Sequence, residues 1–409
     1  MTRSSPPTRQ VVVTGLGTVN ALGSSVGAFA AALRAGTSGI APLTLFDTAG
    51  FRARIAAQVR DDAPPEELAA SLRRRLSRSD VFALRATAEA LTESGITDVV
   101  APERIGLVLG GTTGGMLRAE ECLRARLEGR STRYLPDPIL GSPISVSADV
   151  VADVFDIRGP RLSLSTACSS SGNALGTALD WLRLGRIDAV VTGGTESLCR
   201  MTFAGFNALH ALSLEPCRPF DRRRSGLSLG EGAAILVVES AAQAARRGAR
   251  AHAELVGWGN SADAHHLTAP HPEGTGAILA MRRALANAAL RPDDVDYINA
   301  HGTGTPLNDA VEAAAIGAVF GDAASRLAVS STKGAVGHTL GAAGAIEALA
   351  TILALRDGFI PPTVNLAEPE PEWALDLVPG RSRDATLRYA LSNSYGFGGN
   401  NTSVVLGHA

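Results

Sequence analysis

Leu162-Ser163-Leu164-Ser165-Thr166-Ala167-Cys168-Ser169-Ser170-Ser171-Gly172-Asn173-Ala174-Leu175 reads as a strand handing over to a helix. The opening leucines alternate with serines, the period of a short buried strand. After a turn of small residues the chain runs on as Ala174-Leu175-Gly176-Thr177-Ala178-Leu179-Asp180-Trp181-Leu182, a helical pattern. Cys168 therefore stands at a helix N-terminus, where unpaired amides and the positive end of the dipole favour a thiolate. A free cysteine is otherwise a small buried hydrophobe. The rest of the chain has to decide between these readings.

The same device recurs in the second half. Arg326-Leu327-Ala328-Val329-Ser330-Ser331 reads as a strand, followed by Thr332-Lys333, a glycine-rich turn and an apolar helix from Gly341 to Ala350. Both helices lead into a Leu-Arg pair and a glycine, Leu182-Arg183-Leu184-Gly185 and Leu355-Arg356-Asp357-Gly358. An internal duplication follows: two α/β halves, residues 10–255 with the cysteine and 256–409 with two histidines, after a disordered tail 1–9. Further strands are expected at Gln10–Gly15, Arg104–Gly111, Ala189–Glu196 and Val295–Ala300. Ala- and Gly-rich helices permit close approach and belong between sheets.

Two local patterns fail their own tests. Gly15-Leu16-Gly17-Thr18-Val19-Asn20 lacks the third glycine and the later acidic residue of a dinucleotide loop. Gly23-Ser24-Ser25-Val26-Gly27 spells a hydrolase nucleophile elbow, but the strand ends about ten residues too early for that geometry. Ser25 reads instead as the cap of a helix over Val26–Arg34.

With 409 residues, 45% of them hydrophobic, the chain can build a large core, and its length suggests about two or three domains. A net charge of −2 gives no reason to expect nucleic acid or a membrane surface as partner. Cys122, Cys168, Cys199 and Cys217 show no C-x-x-C spacing, which suits reduced thiols in a cytosol. The polar start has no signal-peptide core, and the apolar run Ala342–Leu355 contains Glu347 and is too short to span a bilayer. A soluble cytoplasmic protein is expected. The cluster Arg73-Arg74-Arg75-Leu76-Ser77-Arg78 is a solvated face or a landing site for an acidic partner. Glu128 to Pro143, with Tyr134, reads as an irregular excursion.

His301 follows the strand ending at Ala300, in His301-Gly302-Thr303-Gly304-Thr305, and His338 lies in Gly337-His338-Thr339-Leu340-Gly341. A histidine among glycines just past a buried strand lies near the carboxyl edge of a sheet, where α/β sites form. Zinc would need further ligands at close spacing, which are missing; His265, His266 and His271 read as surface-loop residues. One thiol and two imidazoles do suit carbon–carbon bond formation. The thiolate carries an acyl group as a thioester. Two neutral imidazoles donating from Nε2 stabilise the enolate formed when a second thioester loses CO₂. The amides of Cys168 and of Gly396-Phe397-Gly398-Gly399 are candidates for the oxyanion hole.

Ser165-Thr166-Ala167-Cys168-Ser169-Ser170, His301-Gly302-Thr303-Gly304-Thr305, Ser331-Thr332-Lys333, Gly337-His338 and Asn393-Ser394-Tyr395-Gly396-Phe397-Gly398-Gly399 resemble the signatures of the β-ketoacyl-acyl carrier protein synthases, type II-like. The resemblance runs in order from Val11 to the C-terminus. It implies a thiolase-like, five-layered αβαβα fold from two similar halves, usually dimeric with itself or with a paralogue. It implies acyl transfer from acyl carrier protein to Cys168, then decarboxylative condensation with malonyl-carrier protein, without metal or diffusible cofactor; the substrates ride on phosphopantetheine. His301 and His338 would stabilise the enolate, Lys333 and Glu347 would form an ordering ion pair, and Phe397 would gate the site. Thr303 and Thr305 would contact pantetheine, Phe206 and Thr113 the acyl chain, and Arg74 and Arg78 the carrier protein. The family's chain-length-factor paralogues lack the nucleophile, so Cys168 argues for a catalytic chain over a non-catalytic partner subunit. Gly334-Ala335-Val336, Thr113 and Ser169-Ser170-Ser171-Gly172 depart from common fatty-acid enzymes, leaving acyl length open, and fatty acid versus polyketide or polyene synthesis.

Overall fold

The computed structural model describes residues 9–131 and 140–409; residues 1–8 of the expected tail, and Tyr134 of the expected excursion, lie outside that range. Among the described residues ten strands form one mixed sheet: β1 (Val11–Asn20), β2 (Ile105–Gly110), β3 (Arg161–Leu164), β4 (Ala189–Glu196), β5 (Gly232–Ser240), β6 (Ala253–Ala262), β7 (Tyr297–Asn299), β8 (Ala328–Ser330), β9 (Tyr389–Gly396) and β10 (Asn400–Gly407). Their order is β8-β7-β9-β10-β6-β1-β5-β4-β2-β3. Followed outward from the middle, the halves run β1-β5-β4-β2-β3 and β6-β10-β9-β7-β8, the same path twice. In both, two antiparallel pairings precede two parallel ones. Within the sheet, the two halves meet where Val12 pairs with Glu254 and Val13 with Ala253. The 255/256 division lies inside β6.

Among the described residues the longer helices that cover the sheet are α1 (Val26–Ala35), α2 (Arg78–Ser94), α3 (Met116–Leu127), α4 (Ser145–Val154), α5 (Ser170–Arg183), α6 (Arg200–Ala208), α7 (Thr275–Ala288), α8 (Pro306–Phe320) and α9 (Ala343–Asp357). The expected nucleophile helix is α5 and its repeat is α9. Both touch strands of both halves, and α9 is buried from Ala343 through Leu355. Their side chains share one core cluster with the inner faces of both half-sheets. A second cluster joins α2 and α4 to the outer face of the first half. A third joins α7 and α8 to the outer face of the second. The layers are therefore αβαβα, with the two repeat helices in the middle.

Local chemistry explains what the two rejected motif spellings do instead. The Gly15–Asn20 stretch is not a loop but the second half of β1. A Cβ on Gly17 would lie 1.9 Å from the Ala86 carbonyl oxygen, so the glycine lets α2 settle on the strand. Ser25 is the N-cap of α1, its Oγ accepting from the Ala28 N–H at 3.2 Å.

Candidate functional site

Cys168 lies between the end of β3 and the start of α5, in a turn that Ala167 takes with φ 54°. A non-glycine residue there costs about 1–3 kcal/mol and has to be held by its surroundings. The serines after the cysteine do this. Ser170 Oγ accepts from the Thr166 N–H (2.9 Å) and donates to the Ala167 carbonyl (2.5 Å); Ser169 Oγ donates to the Thr166 carbonyl (2.8 Å). Ser171 Oγ accepts from the Ala345 N–H of α9 at 2.9 Å, tying the two repeat helices together. Gly396, at the end of β9, lies against the same turn; a Cβ there would be 3.0 Å from the Cys168 nitrogen and the Thr166 oxygen.

The thiol is buried, and burial pushes it up to about 11, against the pull of the Lys333 charge and the Phe397 N–H. The helix terminus reads as favouring a thiolate; burial works the other way. Desolvation outweighs the pull of Lys333 and the Phe397 N–H, and the resting sulfur is protonated at neutral pH.

His338 Nε2 lies 3.1 Å from Cys168 Sγ. The Leu340 N–H donates to Nδ1 of the same ring at 3.3 Å. His301 Nδ1 accepts from Lys333 Nζ at 3.2 Å, and an ammonium can only donate. Burial, reinforced by the Lys333 charge, holds both rings well below the ordinary imidazole range, so both are neutral. A neutral ring whose Nδ1 accepts must carry its proton on Nε2. The network therefore makes both histidines Nε2–H donors, with ring centroids 5.2 Å apart. Lys333, the sole lysine among 38 basic residues, is fully buried and ion-paired with Glu347. Burial pushes the Glu347 carboxyl up to about 7 even beside that ammonium.

Cys168, His301 and His338 open on one cavity of about 380 Å³, also lined by Phe206, Thr303, Thr305 and Phe397. Phe206 and Phe397 stack at 5.5 Å between centroids. The Thr303 and Thr305 hydroxyls lie 2.8 Å apart. Two of the residues expected at contacts are engaged elsewhere in the folded chain. Thr113 is not among the cavity's lining residues; its N–H donates to Glu196 Oε1 at 2.8 Å and its hydroxyl bonds the same carboxylate. Arg74 is exposed, but Arg78 turns inward, its side chain only 11% exposed. Its guanidinium grips Glu231 at 2.5 Å, the Val59 carbonyl at 3.1 Å and Asp62. A buried carboxylate holds that arginine more strongly than a surface partner could.

Sequence reasoning missed three buried carboxylates that shape the site. Glu196 accepts from the N–H groups of Thr112 (3.0 Å), Thr113 (2.8 Å) and Gly341 (2.9 Å). Glu312 accepts from the His301 and Gly302 N–H groups, both at 2.8 Å, and burial pushes it up to about 7. Asp309 accepts from the Phe220 N–H at 2.7 Å and from Gly304. An acid near the start of a helix that follows the His301 glycines was the one available signal. Among the described residues no group of three or more His, Cys, Asp or Glu could hold a metal, and no helix is long and apolar enough to cross a membrane.

Comparison with known proteins agrees with this geometry. Residues 8–244 match the beta-ketoacyl synthase N-terminal domain and residues 252–367 the C-terminal domain. The chain is 42% identical to a 3-oxoacyl-[acyl-carrier-protein] synthase 2 of Coxiella burnetii, covering 97% of this chain and 98% of that one. Among solved structures it resembles the ishigamide ketosynthase/chain length factor, at TM-score 0.92 and 36% identity over 98% of this chain and 100% of that one. It also resembles a type II PKS acyl-carrier protein complex with its ketosynthase bound to the hexaketide, at TM-score 0.90 and 30% identity over 98% of this chain and 100% of that one.

Proposed function

The chain belongs to the β-ketoacyl synthase family, and we propose that it condenses an acyl group held on Cys168 with malonyl-acyl carrier protein to give 3-oxoacyl-acyl carrier protein. The observation that carries this reading is the pair of imidazoles, both neutral and both donating from Nε2, beside one thiol. In the first half-reaction the Cys168 sulfur attacks an acyl thioester, and its proton leaves on the departing pantetheine sulfur. The tetrahedral oxyanion is met by the N–H groups of Cys168 and Phe397. In the second, the carboxyl carbon–carbon bond of malonyl breaks, CO₂ departs, and the electron pair becomes an enolate held by His301 and His338. The enolate carbon attacks the acyl carbonyl, and collapse expels the Cys168 thiolate, which takes up one proton. No metal or diffusible cofactor enters these steps.

Thr303 and Thr305 line the pantetheine path, and Arg74 offers charge to an acidic carrier protein. The β3 edge strand, at the end of the sheet with Leu162 36% exposed, supports pairing with a second copy or a paralogue. Four free thiols suit a reducing cytoplasm. The test is Cys168→Ala. It should abolish acylation by acyl-carrier protein, read by intact-protein mass, while malonyl-carrier protein still decarboxylates. Acylation that persists would remove the nucleophile assigned here.

A further inference from the structure

Three histidines outside the reaction centre sit in the loop from Asp263 to Gly274, and two of them hold its turns. His266 Nδ1 accepts from the Thr268 N–H (3.1 Å) and the Ala269 N–H (3.2 Å). His271 Nδ1 accepts from the Glu273 N–H at 3.2 Å. The His265 ring lies 5.0 Å from that of His271 and 6.5 Å from that of His266. This loop is bonded directly to the Phe397 loop: the Gly398 N–H donates to the Leu267 carbonyl (2.8 Å), and the Asp263 N–H donates to the Gly399 carbonyl (2.9 Å). Thr268, Ala269 and Pro270 form part of the cavity wall.

We propose that His266 and His271 make the 263–274 loop a proton-operated strap on the Phe397 loop, fastened when the rings are neutral and released when they are charged. Protonation converts Nδ1 from an acceptor into a donor. Three backbone N–H groups then face a donor, and the turns they close lose their bonds. A charged His265 and His271 would also repel across 5.0 Å. The negative groups facing the strap do not cancel this. Asp263 is engaged by Asn401 Nδ2 (2.7 Å) and the His271 N–H (3.0 Å), and Glu273 meets His271 through its own amide. Tyr395 and Asn401, from β9 and β10, and His210, which also lines the cavity, supply no further negative charge. Release of Gly398 and Gly399 would free the Phe397 N–H from its place beside the sulfur, so turnover falls in acid. The inference rests on the reading of the Phe397 loop as the oxyanion loop.

The test is His266→Asn with His271→Asn, since an asparagine Oδ1 can keep accepting and cannot take a proton. Condensation would be followed from about pH 5 to 8, the range of imidazole titration. Hydrogen exchange of 263–274 and 396–399, corrected for intrinsic rate, would be read near pH 5.5 and 7.5. At the acid end of that range, where the double variant holds its rate, the parent should lose kcat. Both of its segments should lose protection there, while the double variant keeps both. Unchanged protection in the parent, or an equal acid loss in a folded variant, overturns the strap. The parent's exchange decides the matter if the variant does not fold. Absence of condensation at every pH would instead strike the proposed function and leave the exchange result standing.

Discussion

Replacing Lys333 with methionine separates what that residue does for the fold from what it does for the reaction. The ammonium is fully buried, its ion-pair partner Glu347 has a side chain 2% exposed, and another of its N–H groups donates to His301 Nδ1 at 3.2 Å. Lys333→Met alone strands a buried carboxyl, which costs about 3–5 kcal/mol. For 409 residues the unfolding entropy is about 0.9 kcal/mol/K, so the melting temperature should fall by about 3–6 °C. Lys333→Met with Glu347→Leu removes both charges and should recover most of that loss, since an apolar pair of similar volume is often neutral or better. The double variant still leaves His301 without the donor that fixes its proton on Nε2. Decarboxylation of malonyl-carrier protein should therefore stay about 10²-fold down, the scale of losing one aligned donor. Thermal melts and mass-spectrometric counting of acetyl-carrier protein provide the two readouts. A double variant that regains parental decarboxylation along with its melting temperature would refute the tautomer argument.

Other outcomes follow from the same geometry. Because burial pushes the Cys168 thiol up to about 11, its alkylation by iodoacetamide should rise about tenfold per pH unit from neutrality upward; a plateau below about pH 9 would contradict a protonated resting thiol. Arg74→Glu should raise KM for carrier-bound acyl groups and spare small thioesters, with an unchanged melt, whereas Arg78→Glu should destabilise by about 3–5 kcal/mol because it faces Glu231; equal melts would erase the distinction. Glu312 moves from 4.5 to about 7 on folding, so its contribution is present below the lower value and is lost as pH rises through the upper one. Between those limits the parent should lose about 3 kcal/mol relative to Glu312→Gln. Parallel stability curves for the two would show that the carboxyl does not titrate there.

Much of the architecture was legible because it is written in short-range patterns. A strand, a small-residue turn and an Ala/Gly-rich helix recur around Cys168 and around Lys333, and the folded chain places those segments at equivalent positions, β3–α5 and β8–α9. Cys168, His301 and His338 follow the carboxyl ends of parallel strands, so a reading of strand ends was enough to nominate them. The protonation states were not legible in this way. The thiol is set by desolvation, and His338 meets it from 170 positions away. The tautomers depend on which atom donates to each Nδ1, and the arginine cluster is divided by a buried glutamate far along the chain, Glu231, that claims Arg78 and leaves Arg74 outside. Periodicity is a property of neighbours in sequence and survives without coordinates. Burial and hydrogen-bond direction arise from segments brought together by folding, so only the tertiary structure could decide whether the sulfur rests as a thiol, which nitrogens hold the protons and which arginine faces solvent.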